Sequence, residues 1–272
     1  MISFSKEIPN ADLRVLSLGA GVQSSVMALM ATKGELKPMP DCAVFADTMD
    51  EPEEVYVHLE WLTKQLAFPV YVVSEGSLKE SIITGVEKWG YSFCVVPFHQ
   101  KNGFGKRQCT KQYKIDPIRK KNRDLLGLKK GQRVGDKIVE QWIGISTDEI
   151  QRVKDSRDKW VINRYPLIEK GMKRHQCKQW FETYYPNRNL PRSACVYCPY
   201  KRNDEWRYLR DNDPKGWQEA IDVDHQIRNS GNSKEEQFVH NSCVPLDQAD
   251  LSTAEDRGQL NFLDECDGMC GV

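Results

Sequence analysis

Two patterns of apolar and polar positions alternate along the first half of the chain. Short apolar runs of the kind found in buried strands cover residues 13–18, 42–46, 69–73 and 141–146. Between the first three runs, apolar residues recur every three or four positions over 22–34 and 53–66, which predicts amphipathic helices. Strands that alternate with helices predict an α/β fold with a doubly wound parallel sheet.

The character of the chain changes after about residue 152. Trp, Tyr, Pro and Cys become frequent, and the helical patterns shorten to pieces such as "KQWFETYY" and "DEWRYLRD". A chain of 272 residues is long enough for two regions. We therefore predict a nucleotide-binding α/β domain over 1–152 and a smaller region, rich in cysteine and aromatic residues, packed on it over 153–272.

The sequence "SLGAGVQSS" joins the first predicted strand to the first predicted helix. Its glycines permit a tight turn, and backbone N–H groups at a helix N-terminus suit an anion. It lacks the Lys-Ser/Thr ending of an ordinary P-loop and fits the dinucleotide fingerprint poorly. From these residues alone two interpretations stay open: a phosphate cradle, or a glycine turn capped by Ser24 or Ser25.

The formal net charge is zero, from 39 basic and 39 acidic residues, so attraction to nucleic acid must come from local clustering. Such clustering occurs over 101–133, where two acidic residues stand against twelve basic ones: Lys101, Lys106, Arg107, Lys111, Lys114, Arg119, Lys120, Lys121, Arg123, Lys129, Lys130 and Arg133. This segment predicts contact with polyphosphate or nucleic acid. Later aromatic residues either stack bases or, as we favour, fill a small second core: Trp160, Tyr165, Trp180, Tyr184, Tyr185, Trp206 and Tyr208.

Nine cysteines, with no recognisable signal peptide and no apolar run of bilayer length, predict a cytoplasmic protein that makes no membrane contact. Cys195 and Cys198 form a C-x-x-C pair, the spacing of an iron–sulfur site, a zinc site or a redox dithiol. With Cys109 and Cys177 they make a set of four that favours a cluster, with zinc and unligated thiols as the alternatives. The other cysteines before the C-terminal tail are expected to fill cores: Cys42, Cys94 and Cys243.

Six stretches occur in order along 13–271: "SLGAGVQSSV", "VFADTMDEPEEVYVHLEWL", "GFGKRQCTKQYKIDPI", "IGISTDEIQRVK", "NRYPLIE" and "DECDGMCG". Together they resemble the phosphoadenosine-phosphosulfate (PAPS) reductase-like branch of the adenine nucleotide α-hydrolase, or PP-loop ATPase, superfamily. The resemblance implies a Rossmann-like α/β fold. It also implies an enzyme that binds ATP or another adenine nucleotide, with magnesium, and releases pyrophosphate.

The resemblance implies roles for particular residues. The residues implied to bind the nucleotide are Ser17, Gly19, Gly21, Gln23, Ser24, Ser25, Asp47 and Thr48. Those implied to be catalytic are Arg107, Lys114, Asp148, Arg152, Cys266 and Cys270, with Lys111 as a further candidate cation at the α-phosphate. The loop departs from the family at Gly19-Ala20, where the family has a serine–glycine pair, and at Gln23, where it has an aspartate. A glutamine can still donate to phosphate oxygens, so we expect nucleotide binding to persist.

In assimilatory reductases and sulfur-inserting members of this superfamily, a C-x-x-C pair with an upstream cysteine holds a 4Fe–4S cluster. The resemblance therefore implies such a cluster on Cys109, Cys177, Cys195 and Cys198. The terminal Cys266 and Cys270 resemble the reductase tail that holds its nucleophile. Such a tail suits attack on a sulfonate or carriage of a persulfide.

Three functions are open on these grounds. The first is an ATP-dependent sulfurtransferase that adenylates an oxygen of a nucleic acid or nucleoside, after which sulfur, from the cluster, the tail or a donor protein, displaces AMP. The second is a sulfonucleotide reductase that releases sulfite. The third is a catalytically inactive nucleotide- or nucleic-acid-binding module, which Gln23 favours because it replaces an acid.

Overall fold

The computed structural model describes residues 8, 10–88, 91–228, 233 and 235–258. These residues form two compact units, and the chain passes between the units several times. Unit 1 contains the described residues up to 47 together with 54–74 and 114–193; unit 2 contains 48–53, 75–113 and the described residues from 194 onward. The predicted boundary after residue 152 differs from this division, since 153–193 belongs to unit 1 and 75–113 to unit 2.

The strands are β1 Leu13–Leu18, β2 Cys42–Asp47, β3 Val70–Ser74, β4 Val86–Lys88, β5 Tyr91–Phe93, β6 His99–Gln100, β7 Gly103–Phe104, β8 Val139–Trp142 and β9 Val161–Arg164. The α-helices are α1 Val22–Thr32, α2 Glu53–Gln65, α3 Leu78–Thr84, α4 Asp116–Leu125, α5 Pro166–Glu169, α6 Arg174–Tyr184, α7 Asn203–Asn212 and α8 Pro214–Arg228. A π-helical segment, Thr110–Ile115, leads into α4, and 3₁₀ turns cover Thr147–Arg152 and Leu246–Gln248. Within the described residues, no helix is long and apolar enough to cross a membrane.

Unit 1 is built on a parallel sheet with the strand order β3-β2-β1-β8-β9. The α/β prediction is confirmed. The chain moves outward from β1 to β2 and β3, then returns to the other side of β1 to form β8 and β9. Strand order therefore reverses between β1 and β8.

Helices cover both faces of this sheet because side chains alternate along each strand. Leu16, Phe45 and Trp142 pack with α1, α2 and α6, whereas the side chains of Val15 and Val44 share a cluster with leucines that follow α4. Helix α1 is buried along nearly its whole length. Its position over the centre of the sheet fixes the loop that precedes it.

A buried ion-pair network joins the three neighbouring strands β1, β8 and β9. The carboxylate of Glu140, fully buried on β8, accepts hydrogen bonds from Trp142 Nε1 at 2.6 Å and Arg164 Nη1 at 3.2 Å. Arg14 Nε on β1 lies 3.9 Å from the same carboxylate, and Arg164 also pairs with Glu169 at 2.9 Å. A buried charge is tolerated only when it is paired in this way.

Unit 2 has its own core, built from α3, α7, α8 and the segments that precede α4 and α7. Leu78, Phe98, Tyr197, Trp206 and Val223 are among its buried side chains. Two short antiparallel strand pairs, β4–β5 and β6–β7, belong to this unit. Trp206 thus fills a second core, as predicted. The other aromatics predicted for that core do not: Tyr208 is 52% exposed, and unit 1 contains Trp160, Tyr165, Trp180, Tyr184 and Tyr185.

Candidate nucleotide site and cysteine group

The loop between β1 and α1 lies at the carboxyl edge of the sheet. Gly19 follows β1, Ala20 adopts a left-handed conformation with φ +55°, and Gly21 precedes the first helical residue, Val22. Amide groups at the start of a helix have no intrahelical partner and favour an anion. In an open parallel sheet, ligands bind beyond the carboxyl ends of the strands where strand order reverses. That reversal lies between β1 and β8, beside this loop.

The two serines of the loop have different environments. Ser24 Oγ accepts the Gly19 N–H at 3.2 Å and lies 3.4 Å from the Gly21 carbonyl oxygen, so it holds the loop closed. Ser25 is fully buried, and its Oγ lies 3.0 Å from Nε2 of His58 on α2. Of the two predicted serines, Ser24 therefore forms hydrogen bonds within the loop, whereas the hydroxyl group of Ser25 is buried in the core.

Burial, followed by the charge of Arg188, lowers the pKa of His58 from 6.5 to about 4. The imidazole is therefore neutral at physiological pH. Its ring packs near Trp61 and Phe181, with centroid separations of 5.5 and 6.2 Å. This aromatic contact anchors α2 against the base of the loop.

The segment after β8 touches the loop backbone directly. A Cβ atom on Gly144 would lie 2.9 Å from Ser24 N, 3.1 Å from Ser24 Cα and 3.3 Å from the carbonyl carbon of Gln23. On the other side, a Cβ on Gly21 would lie 3.4 Å from the Cβ and N of Ser193. Gly144 is required because no side chain fits between the two segments.

The side chain of Gln23 connects three segments of unit 1. Its Nε2 donates to Glu149 Oε2 at 3.1 Å and lies 3.4 Å from Ser146 Oγ, while its Oε1 accepts from Arg174 Nη1 at 2.8 Å. The other oxygen of Glu149 accepts from Arg152 Nη1 at 2.7 Å. Burial raises the pKa of Glu149, and the Arg152 charge opposes that effect. The first turn of α1 is thus surrounded by an amide, a carboxylate and two guanidinium groups.

The predicted Asp148 lies next to this network. Its two carboxylate oxygens accept the backbone N–H of Arg174 at 3.1 and 3.2 Å, which fixes the start of α6. Sequence reasoning missed Arg174, because it stands in an ordinary basic stretch, "KGMKRHQ". Only the packing of α6 against α1 brings it to the loop.

Three other predicted nucleotide residues have structural partners. Ser17 Oγ accepts from Gln141 Nε2 at 2.9 Å, on the face of the sheet that α4 covers. Asp47, at the carboxyl end of β2, accepts from Tyr56 Oη at 2.9 Å. Thr48 belongs to unit 2, where its carbonyl oxygen accepts the Leu78 N–H at 3.2 Å and its hydroxyl group is buried. Their nucleotide-binding roles stay predictions.

The candidate cations of the "GKRQCTKQYK" stretch divide between the units. Arg107 belongs to unit 2, where its guanidinium carbon lies 5.1 Å from the centre of the Tyr200 ring. Lys111 also belongs to unit 2 and is exposed, whereas Lys114 begins the next segment of unit 1. Their catalytic roles stay predictions as well.

Three predicted ligands belong to unit 2. Cys195 and Cys198 form a tight turn in which the Cys198 N–H donates to the Cys195 carbonyl oxygen at 3.0 Å. The Val95 carbonyl oxygen accepts the N–H of Cys109 at 2.9 Å, which brings Cys94 to the same place. Burial raises the pKa of Cys94 to about 11, and the neighbouring Cys109 contributes to that shift. Cys94, expected to be an isolated core residue, therefore has a cysteine neighbour.

Cys177 has a different environment. It is fully buried on α6 in the core of unit 1, and burial, with a further contribution from Asp148, raises the pKa of its thiol to about 12. Metal ligation requires the thiolate, so this environment opposes the predicted role. Among the described residues, no three Cys, His, Asp or Glu side chains are arranged to hold a metal ion. Neither the four-cysteine cluster nor the magnesium ion is therefore confirmed, and both stay predictions. Cys266 and Cys270 lie outside the described residues.

No protein-family model matches the chain, and no curated protein does. Among solved structures, the chain is similar to the U34-tRNA thiolase NcsA from Methanococcus maripaludis with its [4Fe-4S] cluster. The identity is 13%, the match covers 84% of this chain and 76% of that chain, and the TM-score is 0.37. It is also similar to the phosphate complex of PAPS reductase from Candida auris, with 15% identity, 68% and 76% coverage and a TM-score of 0.38. At these TM-scores neither likeness supports a functional argument.

Proposed function

We propose that the chain binds ATP at the loop formed by residues 19–24, releases pyrophosphate and adenylates an oxygen of a nucleic acid or nucleoside that then receives sulfur. The observation that carries this proposal is the position of the loop at the point of strand-order reversal, with Gly144 packed against its backbone. A turn that only joined a strand to a helix would not require a second segment within contact distance of its amides. An anion site requires amides that are held rigidly, and the close packing of Gly144 against the loop backbone holds them in place.

The residues around the loop suit a leaving pyrophosphate. Arg174, 2.8 Å from the Gln23 amide oxygen, and Arg152, paired with Glu149, bring positive charge to the first turn of α1. As the acceptor oxygen bonds to the α-phosphorus, the bond to the β-phosphate oxygen breaks and pyrophosphate leaves with its electron pair. Fixed donors that stabilise this developing charge lower the barrier without reorganising.

The substitution at the acceptor carbon is redox-neutral, whereas release of hydrosulfide from a persulfide consumes two electrons. A hydrosulfide nucleophile attacks the carbon that bears the adenylated oxygen; the carbon–sulfur bond forms and AMP leaves with the oxygen. The Cys195–Cys198 turn suits delivery of this sulfur. When the Cys198 thiolate attacks a Cys195 persulfide, the products are a disulfide and hydrosulfide, and a dithiol reductant restores the pair.

The test measures pyrophosphate released from ATP by the purified protein, with and without RNA. We expect release in the wild type and a loss of at least tenfold in Arg174→Met, since a guanidinium contact to phosphate contributes about 1.5–3 kcal/mol. Lys178→Met, an exposed change in the same helix, is the matched control. Retained ATP binding without pyrophosphate release would indicate a binding module. Sulfite release from PAPS would indicate a reductase, and absence of nucleotide binding would refute the proposal outright.

A further inference from the structure

We propose that three adjoining rings in unit 2, those of His99, Phe104 and Tyr200, with planes inclined by 50° and 68° from one ring to the next, form a platform on which an unpaired base of a nucleic acid stacks. We call these three rings the aromatic ladder. The inference rests on the proposed function, because it identifies the surface that would receive the acceptor. It is drawn from contacts within unit 2 alone.

The ladder is continuous and partly open to solvent. The ring centres of His99 and Phe104 are 4.7 Å apart, and those of Phe104 and Tyr200 are 5.3 Å apart. Phe104 is 41% exposed although it is a large apolar side chain. Single exposed apolar side chains are common on protein surfaces, so the exposure of Phe104 matters here because its ring continues a run of adjoining aromatic rings.

The backbone holds the ladder in place. His99 and Phe104 face each other across the antiparallel pair β6–β7, and His99 also bridges Phe238. His99 Nε2 lies 3.0 Å from the Pro199 carbonyl oxygen, which ties the hairpin to the segment that carries Tyr200. Because the backbone already holds these rings in place, binding of a base costs less conformational entropy.

The charge around the ladder favours a phosphodiester chain over other partners. Between residues 99 and 113 the sequence has four basic residues and no acidic one. The Arg107 guanidinium lies 5.1 Å from the Tyr200 ring centre, and Lys106 and Lys111 are exposed. Lys101 pairs with Glu236 at 3.2 Å, so it contributes less. Aromatic faces among basic side chains are the combination that binds single-stranded nucleic acids.

The ladder also lies beside the cysteine pair. Tyr200 is the second residue after Cys198, and the Lys201 N–H donates to the Cys198 carbonyl oxygen at 3.1 Å. A base stacked on the ladder is therefore held next to the turn that the proposed function uses for sulfur delivery.

The test measures binding of a fluorescent single-stranded RNA by anisotropy. We expect Phe104→Ala to weaken binding roughly tenfold, because it removes the stacking of one base. Phe104→Trp keeps an aromatic ring at this position and should bind RNA as tightly as the wild type. Val244→Ala, at a 37% exposed apolar residue of the same unit, is the matched control and should bind as the wild type does. Lys106→Ala should reduce the slope of log affinity against log salt by about one.

Several outcomes would overturn the platform. The first is equal RNA affinity of the wild type and Phe104→Ala. The second is equal affinity of the wild type for the single strand and for a duplex of the same sequence. The third is an equal loss of affinity for polyglutamic acid in Phe104→Ala, which would indicate a general protein-binding surface. Failure of the proposed function is distinguishable. If ATP releases pyrophosphate but RNA does not bind, only the platform is wrong; if RNA binds through Phe104 without pyrophosphate release, only the proposed function is wrong.

Discussion

Replacing Gly144 by alanine tests the nucleotide site through the contact between the segment after β8 and the loop backbone. The added methyl group would lie 2.9 Å from the Ser24 amide nitrogen, about 0.5 Å closer than the 3.4 Å at which ordinary contacts begin. The obstructing atoms belong to the backbone of α1, so no side-chain rotation relieves the clash. Either the first turn of α1 or the segment after β8 must move.

Two magnitudes follow from that displacement. Overpacking of this kind reduces the free energy of unfolding by roughly 1–3 kcal/mol. A shift of about half an ångström also misaligns the amides that the loop offers to phosphate, and a hydrogen bond to a charged group contributes about 1.5–3 kcal/mol. One such bond lost corresponds to roughly 10- to 100-fold weaker ATP binding.

Calorimetric titration with ATP, together with thermal unfolding, separates the two effects. Gly103→Ala is the matched control, because a Cβ there meets nothing within 4 Å and its backbone is not left-handed. Ser24→Ala serves as a second variant that leaves the Gly144 contact in place and removes the bond to the Gly19 N–H. If Gly144→Ala folds and binds ATP as tightly as Gly103→Ala does, the loop is not the phosphate site.

Three further predictions concern the core of unit 1. Glu140→Gln should lower the free energy of unfolding in urea by about 3 kcal/mol, since it leaves Arg164 without its buried charge partner; an unchanged midpoint would show the pair to be dispensable. Because burial lowers the pKa of His58 from 6.5 to about 4, protonation favours the unfolded chain, and unfolding free energy should fall by up to about 3 kcal/mol as pH drops from 6.5 towards 4. In His58→Phe, the unfolding free energy should depend less on pH over the same range, as measured by urea unfolding at each pH. Mass spectrometry after brief alkylation should find Cys177 unmodified while Cys195 reacts, since burial raises the Cys177 pKa to about 12; rapid labelling of Cys177 would contradict its placement.

The sequence predicted the parts of the fold that depend on local pattern. Continuous apolar runs identified β1 and β2, because strands covered on both faces need no alternation. The run at 69–73 also identified β3, although β3 is an edge strand on which Val72 is 59% exposed. The fourth predicted run, 141–146, overlaps β8, which begins two residues earlier at Val139 and ends at Trp142. Strand β9, "VINR", was not predicted, because it is short and half polar. Its Arg164 is buried only because Glu140 and Glu169 pair with it.

The local pattern of the sequence could not predict which distant segments pack together. Nothing in the residues 75–113 indicates that they pack with 194–258 rather than with the flanking segments. The same limit applies to the cysteines. Spacing along the chain grouped Cys177 with the C-x-x-C pair, whereas the fold places Cys177 in the core of unit 1 and brings Cys94 to Cys109.

Gln23 shows why a departure from a family pattern must be interpreted in three dimensions. Considered alone, it replaces an acid and favours an inactive loop. In the structure its amide lies 3.1 Å from Glu149, a carboxylate from another segment. An aspartate at position 23 would set a second negative charge close to Glu149, at a cost on the order of 4 kcal/mol. The glutamine donates to that carboxylate instead and accepts from Arg174. The acidic group beside the loop is therefore supplied by Glu149, and the neutral residue at position 23 is what allows a buried carboxylate to remain there.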